Sequence, residues 1–87
     1  MTIKRVFVAN RGEIAVRIIR AAHALGIEVV QGVSLADRDS MAPKMADRTV
    51  VIGPAQSKDS YLDVQTVVHA AKSTDCDALH PGYGFLS

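Results

Sequence analysis

Short apolar runs alternate with segments of helical periodicity along the chain, and this alternation restricts the available folds more than any other feature. Runs of strand length lie at residues 6–9, 27–33, 49–52 and 78–80. The first run is continuously apolar, as expected of a strand covered on both faces. Strands separated by helices are typical of βα units with right-handed crossovers. The pattern predicts an α/β, Rossmann-like fold with an open parallel sheet of about four strands, in the order β-α-β-(short α)-β-α-β.

Apolar residues at helical spacing predict two full helices. The first should end at Gly26, a glycine suited to the position after a helix. The second is expected from about Leu62 to Ser73 with Asp63 as its N-cap, and Pro43 should limit a helical stretch near residues 41–46 to about one turn. The residues expected to face the core are Ile14, Ile18, Ala21, Ala22 and Leu25 in the first helix, and Val64, Val67, Val68 and Ala71 in the second.

Composition argues against several classes of protein. The net charge of +1 and the lack of a basic patch argue against a nucleic-acid partner, and no apolar run approaches the roughly 18 residues of a membrane span. The single cysteine, Cys76, excludes an internal disulfide and lacks partners at metal-ligand spacing, so no metal site is expected. A single cysteine suits a reducing compartment. The sequence also leads into a predicted strand near Val6 without the pattern of a signal or transit peptide, so we expect the cytoplasm or, in a eukaryote, the mitochondrial matrix.

The turn after the first predicted strand lies where a Rossmann fold places its phosphate loop. The dinucleotide fingerprint needs three glycines, and only Gly12 is present, with the negative charge of Glu13 beside it. A tight turn in which Glu13 favours the positive end of the helix dipole is therefore the preferred interpretation. Residues 37–39 follow the second strand, where an acid could hold a ribose, but without the fingerprint we expect a solvated loop there.

The end of the chain predicts a shaped loop at the rim of the sheet. His80 closes the fourth predicted strand, and Pro81 removes a backbone donor. Gly82 and Gly84 permit positive φ or the close approach of a ligand, and Tyr83 lies between them. Because ligands bind at the carboxyl edge of open α/β sheets, we predict that Tyr83 and Gly84 line a ligand site. Two roles stay open for His80, a ring that bonds a neighbouring loop or a side chain that lines the site.

Three motifs together form a pattern that spans the chain. They are Ala9-Asn10-Arg11-Gly12-Glu13-Ile14-Ala15, Ser34-x-Ala36-Asp37-Arg38-Asp39 and His80-Pro81-Gly82-Tyr83-Gly84-Phe85-Leu86-Ser87, with Gly53-Pro54 and Ser60-Tyr61-Leu62 in order between the last two. The pattern resembles the N-terminal domain of biotin carboxylase, the ATP-dependent component of acetyl-CoA, propionyl-CoA, methylcrotonyl-CoA and pyruvate carboxylases. The first and last motifs are long and unusual enough to be highly specific.

The resemblance implies a pre-ATP-grasp domain of an enzyme that carboxylates carrier-bound biotin with MgATP and bicarbonate. The implied cofactors are biotin, ATP and Mg²⁺, and the implied partners are the ATP-grasp domain, a biotin carboxyl carrier protein and a carboxyltransferase. Tyr83 and Gly84 would line the biotin pocket, with His80 beside them. Arg17 and Arg20, outward on the first helix, would match the surface where bacterial dimers of the family meet. No catalytic, ATP or metal residue carries over, so the chain alone is expected to be inactive.

Residues 1–87 are expected to form a single domain that is a piece of a longer protein, with Ser87 as the N-cap of a following helix. A free-standing binding or regulatory module of Rossmann-like fold stays open as an alternative, and a reading frame that stops after Ser87 would favour it. A nucleotide-binding oxidoreductase domain is disfavoured by the missing glycine fingerprint.

Departures from the family pattern carry expectations of their own. Gln31 and Gly32 stand where members usually have small or β-branched residues, which predicts a weaker second strand. Asp75 occupies a position usually given to glycine after a helix, where positive φ is expected. Ala24 stands where some members carry an acid, which bears on dimerisation through the first helix.

Overall fold

The computed structural model describes residues 2–84, which form a parallel sheet with helices on both faces. The elements are β1 (Arg5–Val8), α1 (Gly12–Ala24), β2 (Glu28–Ser34), α2 (Met41–Met45), β3 (Arg48–Gly53), α3 (Val64–Ser73) and β4 (Ala78–His80). Short 3-10 turns lie at Leu35–Asp37 and Ser57–Asp59. The strands are all parallel in the order β3-β2-β1-β4, which confirms the predicted α/β fold.

The strand order reverses direction at β1, and this creates a crevice. From β1 the chain moves by way of α1 to β2 on one side, and it later returns by way of α3 to place β4 on the other side of β1. Val6 and Val8 pack towards α1, whereas Phe7 packs towards α3, so the period of a strand gives each face its own core. The carboxyl ends of β1 and β4 therefore flank the topological switch point, the usual place for a ligand in an open α/β sheet.

The buried face of α1 differs from the predicted one by about one residue. The buried side chains are Ala15, Val16, Ile19 and Ala22, so only Ala22 of the predicted set is fully buried. Ile14 and Ile18 are half-buried, and Ala21 and Leu25 are exposed. The prediction was wrong because α1 carries two adjacent apolar stripes. One stripe packs against the sheet, and the other borders a groove of about 400 Å³ between α1 and β4.

The second full helix begins two residues later than predicted. Asp63 is its N-cap, as expected, and its Oδ1 accepts a hydrogen bond of 3.1 Å from the Thr66 amide. Of the predicted stripe, Val67 and Ala71 are buried, but Val64 and Val68 are exposed. The buried face instead includes Ala70, a small residue that lets the helix approach the sheet closely.

Six of the seven residues of β2 are buried, and the expectation that β2 is a weak strand stays a prediction. Gly32 lies over the ring of Phe7, and a Cβ at Gly32 would come within 2.6 Å of the Phe7 Cζ atom. The glycine therefore makes room for the ring of Phe7. Gln31 is buried as well, and its side-chain Nε2 donates a hydrogen bond to the carbonyl of Asn10.

Within residues 2–84, the structure contains no helix of the length and apolar character that a bilayer span requires.

Candidate functional site

The candidate site lies at the carboxyl ends of β1 and β4, on the two sides of the switch point. Asn10 follows β1 by two residues, and His80 is the last residue of β4. The amide of Ala9 donates a hydrogen bond of 3.0 Å to the carbonyl of His80, so the pairing of the two strands continues to the rim. The segment that leaves β4 must therefore turn directly above Asn10.

The side chain of Asn10 holds this segment in place. Its Nδ2 donates hydrogen bonds of 2.7 Å to the carbonyl of Pro81 and 2.9 Å to the carbonyl of Tyr83. Gly82, between those carbonyls, has φ +67°, and a Cβ there would lie 2.6 Å from the Asn10 Nδ2. Only glycine meets both demands, since it tolerates positive φ and lets the amide approach. Residues 81–84, here called the rim loop, thus have a defined shape.

The rim loop presents Tyr83 to solvent. Tyr83 is 70% exposed, and Gly84 beyond it has φ +87°. A cleft of about 460 Å³ separates the loop from the first half of α1, and its walls include Ile14, Arg17 and Tyr83. An aromatic ring this exposed gains little from packing within the domain, so it is available to cover one face of a flat ligand.

His80 takes part in the turn of the rim loop. Its Nδ1 accepts a hydrogen bond of 3.1 Å from the amide of Gly82, which places the proton of a neutral ring on Nε2. This contact is the loop-bonding alternative considered from the sequence. His80 also borders the cleft beside Tyr83, and the site-lining alternative stays a prediction.

A buried carboxylate stands behind the rim. The Asp37 side chain is only 10% exposed, and Arg11 binds it with both Nε and Nη2 at 2.8 Å. The hydroxyls of Tyr61 and Ser34 donate further bonds of 2.7 and 3.1 Å to its Oδ2. The Arg11 bonds hold the pKa of Asp37 below its usual value, and burial together with Asp37 raises the pKa of Tyr61 to about 12. The expectation of a solvated loop at Asp37 was therefore wrong.

Arg17 and Arg20 are exposed on α1, as predicted, and Arg17 forms a long contact of 3.9 Å with Glu13 one turn earlier. Arg17 also borders the cleft beneath the rim loop. The predicted dimer surface and the predicted ligand wall thus share one side chain. Their roles in dimerisation and ligand binding stay predictions.

The described residues do not fit a phosphate or a metal ion. The turn that begins α1 carries Glu13, whose charge opposes an anion at the helix N-terminus. Across residues 2–84, no three His, Cys, Asp or Glu side chains are grouped as metal ligands. His23 and Asp47 form a pair at 2.8 Å, but the same Asp47 oxygen accepts the Val29 amide and ties α1 and β2 together. The pair is therefore a structural contact.

Sequence reasoning missed the roles of Asn10 and Tyr61. In the sequence, both residues were recognised only as members of the family motifs, and no contact was predicted for either. One signal was available, because Asn10 follows β1 and Ser34 ends β2, and the carboxyl ends of parallel strands meet at one edge. Polar residues at those ends are expected to contact each other and the loop that leaves β4. The reach of Tyr61 to Asp37 from beyond β3 has no such signal.

The fold and the rim define a class, an open α/β domain with a shaped glycine-tyrosine loop at its topological switch point. The family model for the N-terminal domain of biotin carboxylase matches residues 2–87. The chain is 59% identical over 85 residues to biotin carboxylase 1 of Bacillus subtilis, covering 98% of the chain and 19% of that protein. It is 51% identical over 86 residues to the mitochondrial methylcrotonoyl-CoA carboxylase subunit alpha of Rattus norvegicus, covering 99% of the chain and 12% of that protein. The chain belongs to the biotin carboxylase N-terminal domain family.

Solved structures agree with this assignment. Urea carboxylase of Kluyveromyces lactis superposes with a TM-score of 0.95 at 41% identity, over 98% of this chain and 8% of that one. The biotin carboxylase domain dimer of Hydrogenobacter thermophilus 2-oxoglutarate carboxylase, in complex with MgADP, ADP and bicarbonate, gives a TM-score of 0.91 at 43% identity, over 99% of this chain and 19% of that one. The chain thus spans about a fifth or less of the length of these relatives.

Proposed function

We propose that this chain is the first domain of a biotin carboxylase, an enzyme that carboxylates carrier-bound biotin with MgATP and bicarbonate. In this proposal the rim loop forms one wall of the biotin site, with Tyr83 and Gly84 against the ligand. The observation that carries it is the exposed ring of Tyr83, held above a cleft at the switch point by two bonds from Asn10. The ureido ring of biotin is flat and polar at its edge, and an exposed phenol ring beside backbone groups suits both properties.

The chain's own contribution is to bind and orient. The apolar wall at Ile14 and the exposed ring of Tyr83 suit the bicyclic head of biotin, whereas Arg17 and His80 supply polar groups at the margin of the cleft. His80 also keeps Gly82 in its turn by accepting the Gly82 amide. ATP and Mg²⁺, when bound, activate bicarbonate in this reaction. Because the described residues fit neither a phosphate nor a metal ion, the proposal assigns both to the domains that follow.

The test uses a chimera in which residues 2–87 replace the matching segment of biotin carboxylase 1 of Bacillus subtilis, to which the chain is 59% identical. We expect the chimera to carboxylate free biotin, and the chain alone to show no bicarbonate-dependent ATPase activity. Tyr83→Ala removes the ring that is proposed to contact biotin, so it should raise the KM for biotin about tenfold. It should leave the KM for ATP within about twofold.

Val64→Ala is the matched control, since Val64 is an exposed side chain on α3, whereas the cleft lies beside α1. It should leave both constants unchanged. A folded Tyr83→Ala chimera with an unchanged KM for biotin would contradict the proposed wall. Activity of the 87-residue chain alone would contradict the assignment of ATP and Mg²⁺ to other domains.

We also propose that the exposed face of α1 at Arg17 and Arg20 contributes to a dimer of the whole carboxylase. Both guanidinium groups project from the helix, and the Hydrogenobacter thermophilus relative was solved as a domain dimer. Arg17→Glu with Arg20→Glu should convert a dimeric chimera to a monomer in sedimentation equilibrium, because reversed charges destabilise the contact. Arg48→Glu, at the exposed start of β3, is the control and should stay dimeric. A dimer that survives the double reversal would contradict this role.

A further inference from the structure

Asn10 uses every polar group of its side chain, and its backbone carbonyl as well. The side-chain Nδ2 bonds the rim loop, and the side-chain Oδ1 accepts a hydrogen bond of 2.8 Å from the Arg11 amide. Its backbone carbonyl accepts a bond of 2.7 Å from the Nε2 of Gln31. Asn10 is only 1% exposed, so these contacts are protected from competition with water.

Gln31 stands at an unusual position for a glutamine, since it is 0% exposed in the middle of β2. Its Nε2 donates to the carbonyls of Asn10 and of Gly32, at 2.7 and 2.8 Å. Two carbonyl acceptors fix the orientation of the amide, and its Oε1 is then buried with no hydrogen-bond partner among the described residues. Such an orphaned oxygen is unfavourable for stability, and a buried polar group that is poorly optimised for stability calls for another role.

The rim loop depends on this support because of its composition. Gly82 and Gly84 both have positive φ, and glycine has the widest choice of backbone conformations when nothing holds it. The two carbonyls that flank Gly82 end on one amide nitrogen, that of Asn10. The direction in which Tyr83 leaves the loop therefore follows from the position of that nitrogen.

We propose that Asn10 is a positioning residue for the biotin wall and that Gln31 holds Asn10 in the required place. A series of hydrogen bonds leads from Gln31 in β2 through Asn10 to the carbonyl of Tyr83. The sheet therefore sets the position of the Tyr83 ring. This inference rests on the proposed function of the rim loop. In reactions of oriented groups, a displacement of about 1 Å can cost about a hundredfold in rate, which makes such a device worthwhile.

The experiment compares three variants in the same chimera. Asn10→Ala removes both bonds to the loop, and we expect the KM for biotin to rise about tenfold while the KM for ATP stays within about twofold. Gln31→Met keeps the length of the side chain but makes no hydrogen bond, and we expect about a threefold rise in the same constant. Asn10→Asp replaces the donor by a carboxylate facing two carbonyls, so it should behave no better than Asn10→Ala.

Thr74→Val is the matched control for stability. Thr74 is a buried hydroxyl at the end of α3, near the amino end of β1, and it bonds the Ala70 carbonyl at 2.8 Å. Its loss should lower the melting temperature and leave the KM for biotin unchanged. A second readout is amide hydrogen exchange in the isolated chain, where Asn10→Ala should speed exchange at Gly82 and Thr74→Val should not.

The outcomes separate the inference from the function on which it rests. If Tyr83→Ala raises the KM for biotin but Asn10→Ala does not, the positioning role is overturned and the biotin wall stands. If neither variant changes that constant, the proposed function fails. Should Asn10→Ala not fold, Gln31→Met decides, because an unchanged KM for biotin and unchanged exchange at Gly82 would overturn the inference.

Discussion

Arg11 and Asp37 form a bidentate ion pair, with Nε and Nη2 of the arginine each 2.8 Å from a carboxylate oxygen. The pair joins the turn after β1 to the turn after β2 behind the rim of the sheet. Tyr61 adds a third link, because its hydroxyl donates to Asp37 and accepts a bond of 3.1 Å from the Ser34 amide. Arg11, the neighbour of Asn10 in the sequence, is therefore held by Asp37, and Asp37 is in turn bonded to Tyr61 in the segment after β3.

Replacing Asp37 by asparagine should destabilise the fold by about 2–3 kcal/mol. Arg11 would lose its anionic partner, and removing a buried carboxylate from an ion pair is costly, although the Arg11 side chain is 56% exposed and solvent screening reduces the effect. Asp39→Asn, on an exposed neighbour, should stay within about 0.5 kcal/mol of the wild type. Urea unfolding followed by circular dichroism measures both, and equal midpoints for the two variants would refute the prediction.

The stability of the chain should fall as the pH drops below about 4. The pKa of Asp37 is lowered in the folded state by the bonds from Arg11, so the unfolded state binds more protons between the folded and unfolded pKa values. The stabilisation is thus present above the unfolded pKa and is lost as the pH falls through the folded one. Urea unfolding between pH 2 and 7 should show the difference between wild type and Asp37→Asn shrinking towards low pH, and a constant difference would contradict this linkage.

Tyr61 should ionise at about pH 12 in the folded chain, because burial and the Asp37 carboxylate both disfavour the phenolate. Tyr83→Phe leaves Tyr61 as the only one of the two tyrosines, so absorbance at 295 nm follows it alone. Because the pKa of Tyr61 is raised in the folded state, its contribution to the free energy of unfolding is fully present below about pH 10, the pKa of an unfolded tyrosine. That contribution is lost as the pH rises through about 12. Adding Asp37→Asn should lower the titration midpoint, and an unchanged midpoint would rule out the carboxylate as a cause.

The sequence predicted the order of the elements because that order follows from local periodicity. It predicted the N-cap at Asp63 and the glycine that follows α1 at Gly26 for the same reason, since both depend on residues a few positions away. The prediction of the buried face of α1 was wrong because Ile18 and Ile19 are both apolar, and only contact with the sheet decides which of them is buried. Local patterns do not contain that contact.

The candidate site shows the same division. The rim loop was predicted from its glycines and its place at the end of β4. The support beneath it was not, because Asn10 contacts the loop across 71 and 73 positions of sequence. Gln31 was interpreted as a weakness of β2, since nothing in the sequence shows that its amide reaches the carbonyl of Asn10.

The close contact between Gly32 and Phe7 predicts a strong coupling between these positions. A Cβ at residue 32 would lie 2.6 and 2.9 Å from ring atoms of Phe7, so Gly32→Ala should destabilise the chain by about 1–3 kcal/mol. In the background of Phe7→Leu the same change should cost less, because the ring that it meets is gone. A double-mutant cycle measured by urea unfolding gives the coupling, and additive losses would show that the clash is relieved elsewhere.

The ends of α1 and α3 offer a matched pair of substitutions. Each helix ends in the same pattern. The amides of Gly26 and Asp75, at the position after the cap, donate to the carbonyls of His23 and Lys72, and each following amide donates to the carbonyl five residues before it. Their φ angles are +74° and +55°. Because a side chain is disfavoured in this conformation, Asp75→Gly should stabilise the chain by about 0.5–1 kcal/mol, and Gly26→Asp should destabilise it by a similar amount. Thermal unfolding of both variants and of Asp75→Asn, which should change little, measures the effect. A lower melting temperature for Asp75→Gly would mean that the Asp75 side chain stabilises the turn more than its backbone strains it.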